Sequence, residues 1–116
     1  MPVVAGAGNL PPGRARDAEE SMREQLSEAD VAKELARLKG WAREGDWLRK
    51  QYKVDTFAAG VACEIRVAQI AEEMDHHPDI DLRYDKVRLL TSTHSAGGLT
   101  SLDFELARRI DDEAAG

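Results

Sequence analysis

Residues 80–89 alternate apolar and polar side chains across a short polar break, and this pattern constrains everything around it. Ile80, Leu82 and Tyr84 alternate with Asp81 and Arg83, and Val87 and Leu89 flank Arg88. Period-two runs of this kind build half-buried strands. The polar pair Asp85–Lys86 between them predicts a tight turn, so the two runs pair as an antiparallel hairpin. Just upstream, Pro78 cannot continue a helix, which makes 75–77 a helix-to-strand turn.

The helix ending there is the central one. Asp55 or Thr56 caps it and it reaches Met74. Phe57, Val61, Ile65 and Ala68 line its apolar face, widened by Val67, Ile70, Ala71 and Met74. Earlier in the chain, Ser27 with Asp30 three residues on opens a first helix bearing Val31, Leu35 and Leu38, and Gly40 ends it. Trp41–Glu44 and Trp47–Val54 form a first hairpin about Gly45–Asp46, with both tryptophans read as core or edge packing. After the second hairpin, Ser95–Gly98 is a loop. Thr100 opens a last helix with Asp103 at the capping-box position and a buried stripe of Leu102, Leu106 and Ile110. The order α-β-β-α-β-β-α predicts an α+β fold, a four-stranded antiparallel sheet with three helices on one face. Residues 1–25, rich in Gly, Pro, Ala and charge, are expected to be a flexible extension, with 26–116 as the folded domain.

A chain of 116 residues is one domain of modest core. Its net charge of −6 argues against sequence-independent nucleic-acid binding, which needs cations for phosphate contacts. No stretch approaches the ~20 apolar residues of a membrane span, and no signal-peptide core is expected. The single cysteine, Cys63, cannot close an internal disulfide. It is expected as a small buried residue in a cytoplasmic protein.

All three histidines fall within nineteen positions, at His76, His77 and His94. A hairpin folded about Asp85 puts His76 nine residues before it and His94 nine after, so all three reach the same open end. Imidazoles exchange protons near neutral pH, which makes a proton-transfer site the first expectation. Glu72 lies one helical turn before His76 and can orient an imidazole. Ser92 and Thr93 can donate to a ligand, and Asp103 suits either a cap or a site. A metal site is the rival, because two histidines and a carboxylate form a known facial set. Adjacent histidines rarely aim at one ion from regular structure, however, and neither HExxH nor paired cysteines occur. No Ser or Cys sits at a nucleophile elbow.

With these residues in place, the chain resembles the pterin-4a-carbinolamine dehydratases. The resemblance rests on Glu72, three residues, His76-His77-Pro78, then Tyr84, His94 and Asp103. It extends to Leu26-Ser27, Gly40-Trp41, Phe57, Ser92-Thr93-His94 and Gly98-Leu99-Thr100, covering residues 26–113. It implies a hydro-lyase that converts 4a-hydroxytetrahydrobiopterin to quinonoid dihydropterin and water. Such an enzyme recycles the pterin used by aromatic amino acid hydroxylases, so a hydroxylase is the implied functional partner. The resemblance assigns acid/base catalysis to His76, His77 and His94, with His77 and His94 carrying protons and His76 binding and polarising. It assigns Glu72, Asp75, Pro78, Ser92, Thr93 and Asp103 to substrate binding, and it implies no metal, nucleotide or redox cofactor.

Two positions depart from the animal members. Ile80 replaces an aromatic after His-His-Pro, and Leu102 replaces a basic residue before the aspartate. Some animal members also act as dimerisation cofactors for a homeodomain transcription factor. The alternative is therefore an oligomeric interaction module without turnover. Either reading expects a homodimer or homotetramer, since an open sheet edge needs covering.

Overall fold

Three capped helices and two hairpins build residues 20–115, the part of the chain that the computed structural model describes. Helix α1 spans Glu28–Leu35 behind Ser27, whose hydroxyl accepts from the Asp30 amide at 3.1 Å. It stops short of Gly40, and residues 36–40 are turn and bend. Strands β1 (Ala42–Glu44) and β2 (Trp47–Lys53) follow, joined at Gly45–Asp46. Thr56 caps α2 (Phe57–Met74), accepting from the Ala59 amide at 3.0 Å. Strands β3 (Asp79–Arg83) and β4 (Lys86–Thr91) form the second hairpin, and a 3-10 turn runs over His94–Ala96. The last helix, α3, spans Ser101–Arg109 and widens into a π-helical turn over Ile110–Ala114. The sheet is antiparallel in the order β1-β2-β4-β3, so the expected α+β architecture is the observed one. Of the expected N-terminal extension, residues 1–19 lie outside the described residues, and 20–22 form a helical turn.

The second hairpin turns one residue earlier than its polar pair suggests. Tyr84 and Asp85 occupy the turn, and Arg83 pairs with Lys86. This register opposes Leu82 to Val87 and Ile80 to Leu89, which keeps apolar side chains on one face. Folding about Asp85 itself would have opposed Leu82 to Arg88, and a one-residue slip carries side chains to the wrong face. Tyr84 adopts φ 54° to make the turn, with its side chain in solvent. Asp85 is pinned by Lys53 and Lys86, and its carbonyl accepts from the Val54 amide at 2.8 Å.

Helix α2 docks on a different face from the one its large apolar residues suggest. Gly60, Cys63, Val67, Ile70 and Ala71 are buried, whereas Phe57, Val61 and Ile65 are 53%, 39% and 55% exposed and Ala68 is exposed too. The cause is steric. A Cβ at position 60 would stand 2.6 Å from the Leu82 side chain, so the glycine face is the one that can approach the sheet closely. Cys63 accordingly packs as a small core residue, and burial pushes its thiol up. Val67, Leu48, Val87, Leu89, Phe104, Leu106 and Ile110 complete the centre of the core.

The carboxy-terminal turn is tied to the first hairpin through Asp111. Its carboxylate accepts from Trp41 Nε1 at 3.1 and 3.2 Å, from Lys50 Nζ at 2.9 Å and from the Tyr52 hydroxyl. Trp41 is thus a core residue, as expected. Among the described residues no helix is long and apolar enough to cross a membrane.

Candidate active site

The chemistry-bearing side chains gather at the end of the β3–β4 hairpin opposite its turn. Asp79 pairs with Leu90, so the segments 75–78 and 92–94 leave the sheet on the same side. Helix α3 begins against them, and its third residue, Asp103, is the hub. Thr100 opens the helix, and its amide donates to Asp103 Oδ2 at 3.0 Å in the capping box that the sequence predicts.

Asp103 does more than cap. It is fully buried, and Oδ1 also accepts from His76 Nε2 and from the Thr91 hydroxyl, each at 2.7 Å. Oδ2 accepts in addition from the Thr93 hydroxyl at 2.8 Å. Thr91 and Thr93 spend their single protons on the carboxylate, so Thr100 Oγ1 donates to Thr93 Oγ1 across 2.8 Å. An ionised carboxylate only accepts, so His76 Nε2 carries a hydrogen. His76, 8% exposed, is therefore an anchored imidazole. Burial alone would push the Asp103 carboxyl up. The bonds from His76, Thr91, the Thr100 amide and Thr93 outweigh it and hold the group below its ordinary value of 3.8.

A carboxyl whose pKa is lowered on folding contributes stability above its unfolded value, and that contribution is lost as pH falls through the folded one. Wild-type protein is therefore expected to lose resistance to urea between neutral pH and pH values below 3.8, and Asp103→Asn should flatten part of that slope. Parallel slopes for the two proteins would remove Asp103 as a source of the acid sensitivity.

Adjacent His76 and His77 face opposite environments. Asp75, the α2 C-cap, adopts the left-handed conformation at φ 52° and turns the chain sharply. His76 then enters the buried network while His77 stays exposed, its Nε2 2.7 Å from Glu72 Oε2. Asp75 itself is exposed, and Pro78 is half-buried at the start of β3. His94 lies exposed on the 3-10 turn. Ser92 and Thr93 are buried, with Ser92 Oγ donating to the Asp46 carbonyl at 2.6 Å.

Asp103, Thr93 and His76 thus meet directly. His77 meets only Glu72, and among the described residues the three imidazoles share no hydrogen-bond partner. No group of three His, Cys, Asp or Glu side chains among the described residues is placed to hold one ion.

Two participants escaped the sequence reading. Thr91 bonds both His76 and Asp103, and its signal was present: it continues the core-facing alternation of Val87 and Leu89 with a polar residue. Trp47 packs edge-on against His94, with ring centroids 5.0 Å apart and planes at 72°. Nothing in the local sequence of either residue announces that contact.

Comparison with known proteins bears on this arrangement. The family model described as Pterin 4 alpha carbinolamine dehydratase matches residues 24–113. A relative from Roseiflexus sp. (strain RS-1) is 45% identical over 91 residues, which is 78% of this chain and 98% of the relative. One from Streptomyces avermitilis is 44% identical over 94 residues, 80% of this chain and 93% of its own. Both carry the provisional name pterin-4-alpha-carbinolamine dehydratase. The crystal structure of a transcriptional coactivator/pterin dehydratase from Brucella melitensis aligns with a TM-score of 0.76 and 29% identity, covering 80% of this chain and 100% of that one. A pterin dehydratase-like protein described as a RuBisCO assembly factor in the alpha-carboxysome shares the fold, with a TM-score of 0.54, 22% identity, and coverage of 66% and 87%.

Proposed function

The chain belongs to the pterin 4-alpha-carbinolamine dehydratase family, and on that premise we propose that it dehydrates a pterin 4a-carbinolamine by histidine acid/base catalysis. The observation that carries the reading is one buried, carboxylate-anchored imidazole beside two exposed ones at the same end of the sheet. In the reaction the C4a–O bond breaks and the oxygen leaves as water after taking a proton from an acid. A base removes the proton on N5, and that electron pair forms the C4a=N5 bond of quinonoid dihydropterin. Hydroxide is a poor leaving group, and each proton transfer by a positioned imidazole is worth ~100- to 10,000-fold.

Exposure and bonding divide the roles. His77 and His94 reach solvent and carry the protons, with Glu72 orienting His77. His76 gives its Nε2 hydrogen to Asp103 and serves to bind and polarise the substrate. Asp75 and Pro78 shape the turn that separates the two neighbouring histidines, and Ser92 and Thr93 hold the strand end that leads to His94. We assign the pterin to this end of the sheet, 4a-hydroxytetrahydrobiopterin as its form, and an aromatic amino acid hydroxylase in the cytoplasm as its source. The test is turnover. A hydroxylase supplies the carbinolamine, its ultraviolet absorbance is followed, and wild-type protein is expected to accelerate its decay. A rate equal to the spontaneous one would sink the reading.

The exposed stripe of Phe57, Val61 and Ile65 on α2 favours an oligomer, because contiguous apolar surface on a helix is costly to leave in water. We assign that stripe to contact with further copies, as a homodimer or homotetramer. Light scattering should give a multiple of 12.8 kDa; the monomer mass at micromolar concentration would refute it.

A further inference from the structure

His94 is the imidazole that no hydrogen bond reaches among the described residues, and Trp47 is the ring packed against it. The backbone brings the two together from both sides. Leu48 and Thr91 are the last pair of the β2–β4 ladder, so one step further along each strand sets Trp47 beside Ser92. The Ser92 hydroxyl then bonds the Asp46 carbonyl at 2.6 Å and clamps the first hairpin turn to the end of β4. On the other side, Thr93 and Gly98 exchange backbone hydrogen bonds of 3.3 and 3.4 Å, and Gly97 at φ 81° closes the turn that carries His94. Alternation along β2 directs Leu48 into the core and Trp47 away from it.

We infer that Trp47 is a positioning residue for His94, restricting the imidazole to the orientation in which it can exchange a proton with substrate. This rests on the reading of His94 as a proton carrier. An exposed histidine on a short turn samples several staggered rotamers. A proton donor or acceptor must nonetheless arrive within ~2.6–3.2 Å of the reacting atom. Asp103 supplies that restriction to His76, and Glu72 supplies it to His77. At His94 no carboxylate among the described residues does so, and the indole edge contact takes its place.

The experiment pairs the histidine ring signals in ¹H–¹³C NMR spectra with steady-state kinetics, using wild type, Trp47→Leu and Trp47→Phe. In Trp47→Leu the His94 ring signals should shift with loss of the indole ring current, while those of His76 and His77 hold. kcat should fall ~2- to 10-fold, the equivalent of one lost aromatic pair, with KM changed less than twofold. Trp47→Phe should restore most of the loss. Unmoved His94 signals in Trp47→Leu would overturn the inference, and so would a defect confined to KM, which would make Trp47 a substrate contact. If the wild type shows no turnover, the proposed function falls, and the NMR spectra still decide whether Trp47 holds His94.

Discussion

Asp103→Ala is expected to cost about 3–5 kcal/mol of folding free energy, the usual consequence of removing one partner from a buried hydrogen-bonded pair. Four donors lose their acceptor at once: His76 Nε2, the Thr91 and Thr93 hydroxyls and the Thr100 amide. Water cannot replace the carboxylate cheaply, because the site is closed. The helix cap goes with it, and a cap alone is worth ~1 kcal/mol. Against a total stability of about 5–15 kcal/mol, such a loss is severe. Asp103→Asn keeps the volume but turns an amide donor toward donors, so it should fall between wild type and the alanine variant. Urea unfolding at neutral pH measures both. An alanine variant within about 1 kcal/mol of wild type would mean that the network contributes little to holding the fold.

His77→Ala and His94→Ala should show the opposite balance, with activity lost and the fold kept. Each removes an exposed imidazole, so unfolding free energies should stay within about 0.5 kcal/mol of wild type. Dehydration should slow ~100- to 10,000-fold in each, because each removes one proton transfer from the reaction. His76→Ala separates the two effects, since it also strips a donor from buried Asp103 and should therefore lose stability as well. Wild-type kcat in both His77→Ala and His94→Ala would take proton transfer away from these side chains.

Much of this was legible residue by residue. Ser27, Thr56 and Thr100 cap helices because their hydroxyls reach amides two or three positions on, a purely local geometry. Pro78 ended α2, and strand alternation announced the β3–β4 hairpin. The face of α2 was not legible. Its largest apolar residues form a convincing stripe, yet the sheet accepts the side bearing Gly60 and Cys63 because only that side fits against Leu82. The turn at Tyr84–Asp85 was missed for a related reason: a polar pair marks where a turn can form, while the pairing of Leu82 with Val87 decides which residues form it.

The histidines divide along the same line. Their number, their spacing from Glu72 and Asp103, and the helix-strand break between them belong to the sequence alone, because they depend on chain order and local bonding. Which imidazole is buried and which is free belongs to the tertiary structure. His76 and Asp103 lie 27 residues apart and meet only when α3 packs against the end of β4. Trp47 reaches His94 only through the β2–β4 ladder. Chain order put three proton carriers near one another. Packing gave one of them a buried carboxylate, one an exposed carboxylate and one an indole.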